Sequence, residues 1–382
     1  MNKKIVYVIG GLLRPDGMSQ VLSQKINYLA ENTDFEMYMI LTEKANEPWY
    51  YKMSPKIKYV NFDINFDELD TMPFFKKLIS YWKKQHYYKK CFKNYLMSIR
   101  PDITITAMRR EINFINKIKD GSHKIGEMHF NRNYYRVFHK SYLPSIINNF
   151  ITNKWQEKLI KQIKKLDFFI VLSEEDKKLW GDLVNIKVIY NPIKYYPENS
   201  SSCKNKKVIA VGRYTEQKGF DMLINAWTIV QKKHSDWILN IYGNGDYKSY
   251  QKLADNNAVG NSLICNPDVK NIYDKYLDSS IFVLSSRFEG FGLVLAEAMS
   301  CGLPAVSFDC QCGPKEIVKN NQNGYLVEKN NIQELANKIC QLIENDNDRI
   351  RMGKIAKESS KRFEVNNIME NWIELFDNLK SK

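Results

Sequence analysis

The chain has 382 residues, of which 44% are hydrophobic and only 17 are glycine and 11 proline. That is ample for a packed core and too long for one, so two domains are expected. Seven cysteines without framework spacing argue against a disulfide-stapled fold and suit a reducing compartment, and no apolar run approaches the ~20 residues that span a bilayer. The formal charge of +14 is lopsided: residues 1–190 hold 32 Lys and Arg against 20 Asp and Glu, and residues 191–382 hold 25 against 23.

The opening MNKKIVYVIGGLLRPDG has the lysines and apolar run of a signal peptide but lacks a small-residue cleavage site, and it reads better as a first strand. Strand-like runs at 5–9, 35–41, 57–60, 102–106, 124–130 and 168–173 alternate with helix-like segments such as 18–30 and 143–165. Such alternation implies parallel strands with helical crossovers. Within this half, residues 74–100 interleave Lys76, Lys77, Lys83, Lys84, Lys89, Lys90 and Lys93 with Phe74, Phe75, Tyr81, Trp82, Tyr87, Tyr88 and Phe92. The pattern suits an anionic membrane surface or nucleic acid, and equally a solvated amphipathic helix.

The polar, proline-bearing stretch 191–207 reads as a linker. The strand pattern then restarts at 206–212, 238–243, 262–265, 281–286, 304–309 and 324–327. The expected division is therefore 1–190, linker 191–207, 208–365, and a last helix within 366–382 able to pack back on the first domain.

Three loops of the second half carry chemistry. In VGRYTEQKGF, Arg213 and Lys218 place two cations between a strand and a helix, a forked donor and a compact charge suited to phosphate oxygens. In YGNGD, Gly243 and Gly245 allow close backbone approach, although G-x-G alone is a weak signal. In SRFEGFGLVLAEAMSCGLP, Glu289 falls on a loop and Glu297 about one turn into the following helix. Taken alone, these two acids read equally as a surface loop acid and a solvated helix residue.

Together and in this order, GRYTEQKG, YGNG and EGFGLVLAEAMSCGLP resemble the retaining GT-B glycosyltransferases of family 4, whose E-x7-E motif the third loop matches; SFDCQCGPKEIV and NGYLV resemble members that build bacterial capsule, lipopolysaccharide or other surface glycans. The resemblance implies an α/β GT-B fold of two Rossmann-like doubly wound domains facing across a cleft. It further implies transfer of a hexose or N-acetylhexosamine from a UDP-sugar to a hydroxyl of a lipid-linked glycan, with retention and no metal. On these positions, Arg213 and Lys218 would hold the diphosphate, Glu289 the donor sugar, Glu297 the ribose hydroxyls, and Phe291, Gly292 and Leu293 would offer backbone N–H groups. From the first domain, Gly17 would lie near the diphosphate and His129 would face the sugar, although many relatives read GGAER where this chain has DGMSQ. Asn266 and Pro267 replace a common PG near the expected base pocket.

The implied location is cytoplasmic, peripheral on the inner membrane face. No clear Asp-x-Asp metal motif is expected, in agreement with a reaction that needs no metal. Two other readings compete. One is an oxidoreductase with an NAD-type cofactor, weakened because no G-x-G-x-x-G follows the first strand; the other is a nucleic-acid binder using the basic half.

Overall fold

The computed structural model describes residues 2–13, 15–137 and 144–379. Arg14, the first residue of the 143–165 segment and the last three of 366–382 lie outside the described residues. As far as described, the chain forms two compact units: Met1–Leu172 with Asp176–Ile189 and Met369–Lys382, and Ser173–Glu175 with Tyr190–Ile368. The stretch 191–207 is thus counted with the second unit.

In the first unit, strands β1 (Lys4–Val8), β2 (Glu36–Leu41), β3 (Lys58–Asn61), β4 (Ile103–Thr106), β5 (His123–Glu127), β6 (Phe168–Val171) and β7 (Ile186–Val188) form one sheet in the order β3-β2-β1-β4-β5-β6-β7. All neighbours pair in parallel. Helices α1 (Gly17–Asn32), α2 (Phe74–Ile99), α3 (Ser145–Ile163) and α4 (Glu174–Leu179) fall between the strands in sequence. Strand β5 stops at Glu127, short of the expected 124–130, so His129 belongs to the loop beyond the strand.

Helix α2 sorts the mixed sequence of 74–100 by face. Tyr88, Phe92 and Leu96 are buried in the core, with Tyr81 and Tyr95 packed against it. Phe75, Leu78, Ile79 and Trp82 point outward at 79, 48, 59 and 66% exposure. Lys84 turns inward: its Nζ donates to the carbonyls of Ile64 and Asn65 and pairs with Glu68 at 2.9 Å.

The second unit has a six-stranded parallel sheet in the order β10-β9-β8-β11-β12-β13, built from β8 (Lys207–Val211), β9 (Ile238–Tyr242), β10 (Leu263–Asn266), β11 (Ile281–Leu284), β12 (Ala305–Asp309) and β13 (Gly324–Glu328). Helices α5 (Phe220–Lys233), α6 (Tyr247–Asn256), α7 (Tyr273–Leu277), α8 (Leu293–Ser300), α9 (Pro314–Ile317), α10 (Ile332–Glu344) and α11 (Asp346–Ser360) accompany it, and α12 (Val365–Asp377) follows. Strand β11, IFVL, is buried throughout, as expected of a parallel strand covered on both faces. In both sheets the strand order reverses beside the first strand, at β1/β4 and at β8/β11. The carboxyl ends of strands at such a switch point border the ligand crevice of doubly wound sheets.

Candidate functional site

Two of the three loops leave the strands at the second switch point, β8 and β11, and they are tied together. Arg287 donates in fork fashion to both carboxylate oxygens of Asp221 at 2.9 and 2.7 Å, and to the carbonyl of Glu216 at 2.6 Å. That pairing holds the Asp221 carboxyl below its ordinary value. Gln217 Nε2 donates to the Phe288 carbonyl at 3.0 Å, and Ser285 Oγ to the Lys218 carbonyl at 2.9 Å. The YGNGD loop, which leaves β9, reaches the first by bare backbone: a Cβ on Gly243 would stand 1.7 Å from the Gly212 carbonyl oxygen.

Within this frame Lys218 Nζ meets Glu289 Oε1 at 2.7 Å, with both side chains largely buried, and Ser286 Oγ donates to the same oxygen at 2.6 Å. Glu289 is 6% exposed, so it is no ordinary loop-surface acid. The Lys218 stem lies over Gly212, close enough that a Cβ there would touch it at 3.0 Å. Arg213, on the same loop, is exposed and has no ion-pair partner among the described residues.

Past Glu289 the chain turns through Gly292 at φ +88, a conformation that disfavours any side chain, and enters α8. The N–H groups of Gly292 and Leu293 find no acceptor among the described residues, as the first turn of a helix dictates. Phe291 is buried against Tyr190 and Phe363, at centroid distances of 5.8 and 5.4 Å. Glu297 lies one turn inside α8 and is 5% exposed, not solvated. Burial, and then the Glu297 charge, push the Tyr273 and Tyr276 phenols above their ordinary range.

Arg213, Lys218, Glu289, Phe291, Gly292 and Leu293 therefore share the two tied loops, with Glu297 one turn beyond. Gly17 and His129 belong to the first unit. Gly17 opens α1, whose N-cap Asp16 already accepts from the N–H and hydroxyl of Ser19, both at 2.9 Å. The side chain of His129 is almost wholly enclosed, with Nε2 3.2 Å from Glu127 Oε1 but outside hydrogen-bonding alignment. The lacing through Arg287, Asp221 and Gln217 was not anticipated, because it depends on side chains some 66–71 residues apart in sequence. Asn266, near the expected base pocket, donates from Nδ2 to the Ile241 and Ile264 carbonyls at 3.3 and 3.1 Å. An Asp-x-Asp triplet does occur at Asp346–Asn347–Asp348, in the first turn of α11, where the two acids pair with Arg349 and Arg351 at 2.7 and 2.9 Å.

Residues 195–359 match the model of the family described as glycosyl transferases group 1. Over that stretch, within the second unit, the chain is similar to the group 1 glycosyltransferases. An uncharacterized glycosyltransferase of Haemophilus influenzae is 34% identical over 231 residues, 59% of this chain and 65% of that protein. The poly(ribitol-phosphate) alpha-N-acetylglucosaminyltransferase of Staphylococcus aureus is 29% identical over 254 residues, 65% of this chain and 52% of that protein. The chain thus spans about half to two thirds of the length of these relatives. Among solved structures, S. aureus TarM superimposes with a TM-score of 0.75 at 19% identity, covering 98% of this chain and 99% of TarM. Anabaena HepE with UDP and glucose gives 0.72 at 17% identity, covering 99 and 100%. The fold of the chain is GT-B.

Proposed function

We propose that the chain transfers a hexose or N-acetylhexosamine from a UDP-sugar to a hydroxyl of a growing, lipid-linked bacterial glycan with retention, so that an α-donor gives an α-product. The observation that carries the reading is the Lys218–Glu289 pair held between two cross-tied loops at a switch point, with Arg213 unpaired on the same loop. The relative that acts on poly(ribitol-phosphate) and the HepE complex with UDP and glucose support the same direction.

In the proposed step the bond from the anomeric carbon to the phosphate oxygen breaks, and the acceptor oxygen bonds to the same face of that carbon. The acceptor proton passes to the departing phosphate, giving UDP. Arg213, Lys218 and the open N–H groups of α8 stabilise the charge that grows on the diphosphate, which is the role a metal would otherwise fill. Glu289 orients donor-sugar hydroxyls and Glu297 takes the ribose hydroxyls. Gly17 and His129 are assigned to the diphosphate and the donor sugar from the first unit.

With a gluco- or galacto-configured donor, the anomeric proton of the first-formed product is expected to show the small coupling of an α-linkage, and turnover to persist in chelator. A β-product from an α-donor, or activity lost to chelator, would overturn the mechanism.

The reading includes a cytoplasmic, peripheral position on an anionic membrane. No helix among the described residues is long and apolar enough to cross a membrane. Helix α2 carries seven lysines and no acid over 26 residues, and its outward Phe75, Leu78, Ile79 and Trp82 recur at helical spacing. An apolar stripe with lysines alongside and beyond it suits an interfacial helix. Reversing Lys83, Lys89, Lys90 and Lys93 to Glu is expected to reduce co-sedimentation with phosphatidylglycerol vesicles by a hundredfold or more, at about 1 kcal/mol per basic residue. Lys84 is left intact because it braces the 64–68 turn. Wild-type protein remaining in the supernatant at low salt would refute this position.

A further inference from the structure

The connection from β2 to β3 runs for 16 residues, 42–57, and includes Trp49, Tyr50 and Tyr51 in succession. Loops of this length inside a compact unit tend to be functional. Here the loop walls an open cavity of about 390 Å³ lined by Trp49, Tyr51, Lys52 and Met53, with Tyr59 of β3 on its other side. The size falls within the range of small-ligand sites. The Trp49 and Tyr59 rings meet at 4.7 Å and 69°, forming a corner rather than a parallel slot, and Tyr59 remains 58% exposed.

The loop is fastened to the segment that leads from β1 to α1. The Tyr50 N–H donates to the Leu12 carbonyl at 2.8 Å, and the Tyr51 hydroxyl to the Asp16 carbonyl at 3.4 Å, next to Gly17. The cavity itself lies at the β2/β3 edge of the first sheet, and its loop wall reaches back to the segment between β1 and α1. The Lys52 ammonium has no ion-pair partner among the described residues, which leaves a donor at the rim.

We propose that this corner binds one pyranose ring of the acceptor glycan. A sugar chair presents a C–H face, which loses water favourably against an aromatic ring, and a fringe of hydroxyls. The corner offers one ring to that face and a second ring to its edge, while Lys52 and the Tyr59 hydroxyl meet the fringe. Calling the sugar an acceptor rests on the glycosyltransferase reading, whereas pyranose binding itself does not.

The test is saturation-transfer NMR with methyl α-D-glucopyranoside, methyl N-acetyl-α-D-glucosaminide and adenosine as probes. Wild-type protein and Arg213→Ala are expected to saturate the ring protons of at least one glycoside. Trp49→Ala and Tyr59→Ser should weaken that binding tenfold or more while leaving UDP affinity unchanged by calorimetry, which also confirms that both variants are folded. Absence of transfer to both glycosides in the wild type, transfer that survives both aromatic substitutions, or transfer to adenosine alone would each overturn the subsite. Failure of the wild type to bind UDP would instead overturn the UDP-sugar reading, and the glycoside result would then stand by itself.

Discussion

Arg213→Ala is expected to weaken UDP and UDP-sugar alike by tenfold or more, whereas Glu289→Gln should leave UDP affinity within about twofold while turnover falls at least tenfold. The difference follows from what each side chain is assigned to touch. A charge-assisted hydrogen bond is worth about 1.5–3 kcal/mol, and Arg213 is proposed to spend its guanidinium on the diphosphate that both ligands share. Glu289 is proposed to meet only the sugar, so its loss falls on the reacting ring. The choice of Gln over Ala comes from the geometry. Glu289 also accepts from Lys218 at 2.7 Å and Ser286 at 2.6 Å, and alanine would leave the mostly buried ammonium without its partner. That would disturb the diphosphate side as well and blur the comparison. Glu297→Gln should fall between the two, weakening UDP through the ribose. Calorimetric titration of UDP beside initial rates checks all three, and equal losses of UDP affinity in Glu289→Gln and Arg213→Ala would show that the E-x7-E loop is misplaced in the site.

The strand, loop and helix at 281–300 were legible because each has a local cause. A β-branched run gives β11, a glycine permits the turn, and apolar spacing of period 3.6 gives α8. The two-sheet architecture was legible for the same reason. What escaped was anything decided between distant segments. Arg287 carries no local signal in the sequence, yet its fork onto Asp221 fixes the loop that carries Glu289. In α2 the sequence shows lysines and aromatics interleaved, but only packing against the sheet decides that Tyr88 and Phe92 go inward while Phe75 and Trp82 face out. Strand β7 is three residues long and too short for a periodic signal.

Lys25 belongs to the same class of long-range surprise, and its replacement should be the most destabilising change in the first unit. It sits in α1 as a lysine in amphipathic sequence, which would ordinarily be solvated. Instead it is 1% exposed, with Nζ 2.5 Å from Glu127 Oε1 at the end of β5 and 3.7 Å from the ring centre of Trp372 in α12. Burial pushes the Glu127 carboxyl up, but Lys25 and then His129 outweigh it and hold the group at about 2. Removing one member of a buried pair strands the other charge, at a cost of about 3–5 kcal/mol. Lys25→Met keeps the length and the contact with Trp372, so urea unfolding of that variant at neutral pH isolates the stranded carboxylate. Adding Glu127→Gln should recover most of the loss, because replacing both charges is far milder than replacing one. The pH dependence has a fixed sign. With a folded value near 2 against an ordinary 4.5, the wild-type contribution is complete above about pH 4.5 and fades as pH falls toward 2, since the unfolded chain binds the proton first. If the double substitution is no more stable than Lys25→Met alone, packing rather than the stranded charge governs this corner of the fold.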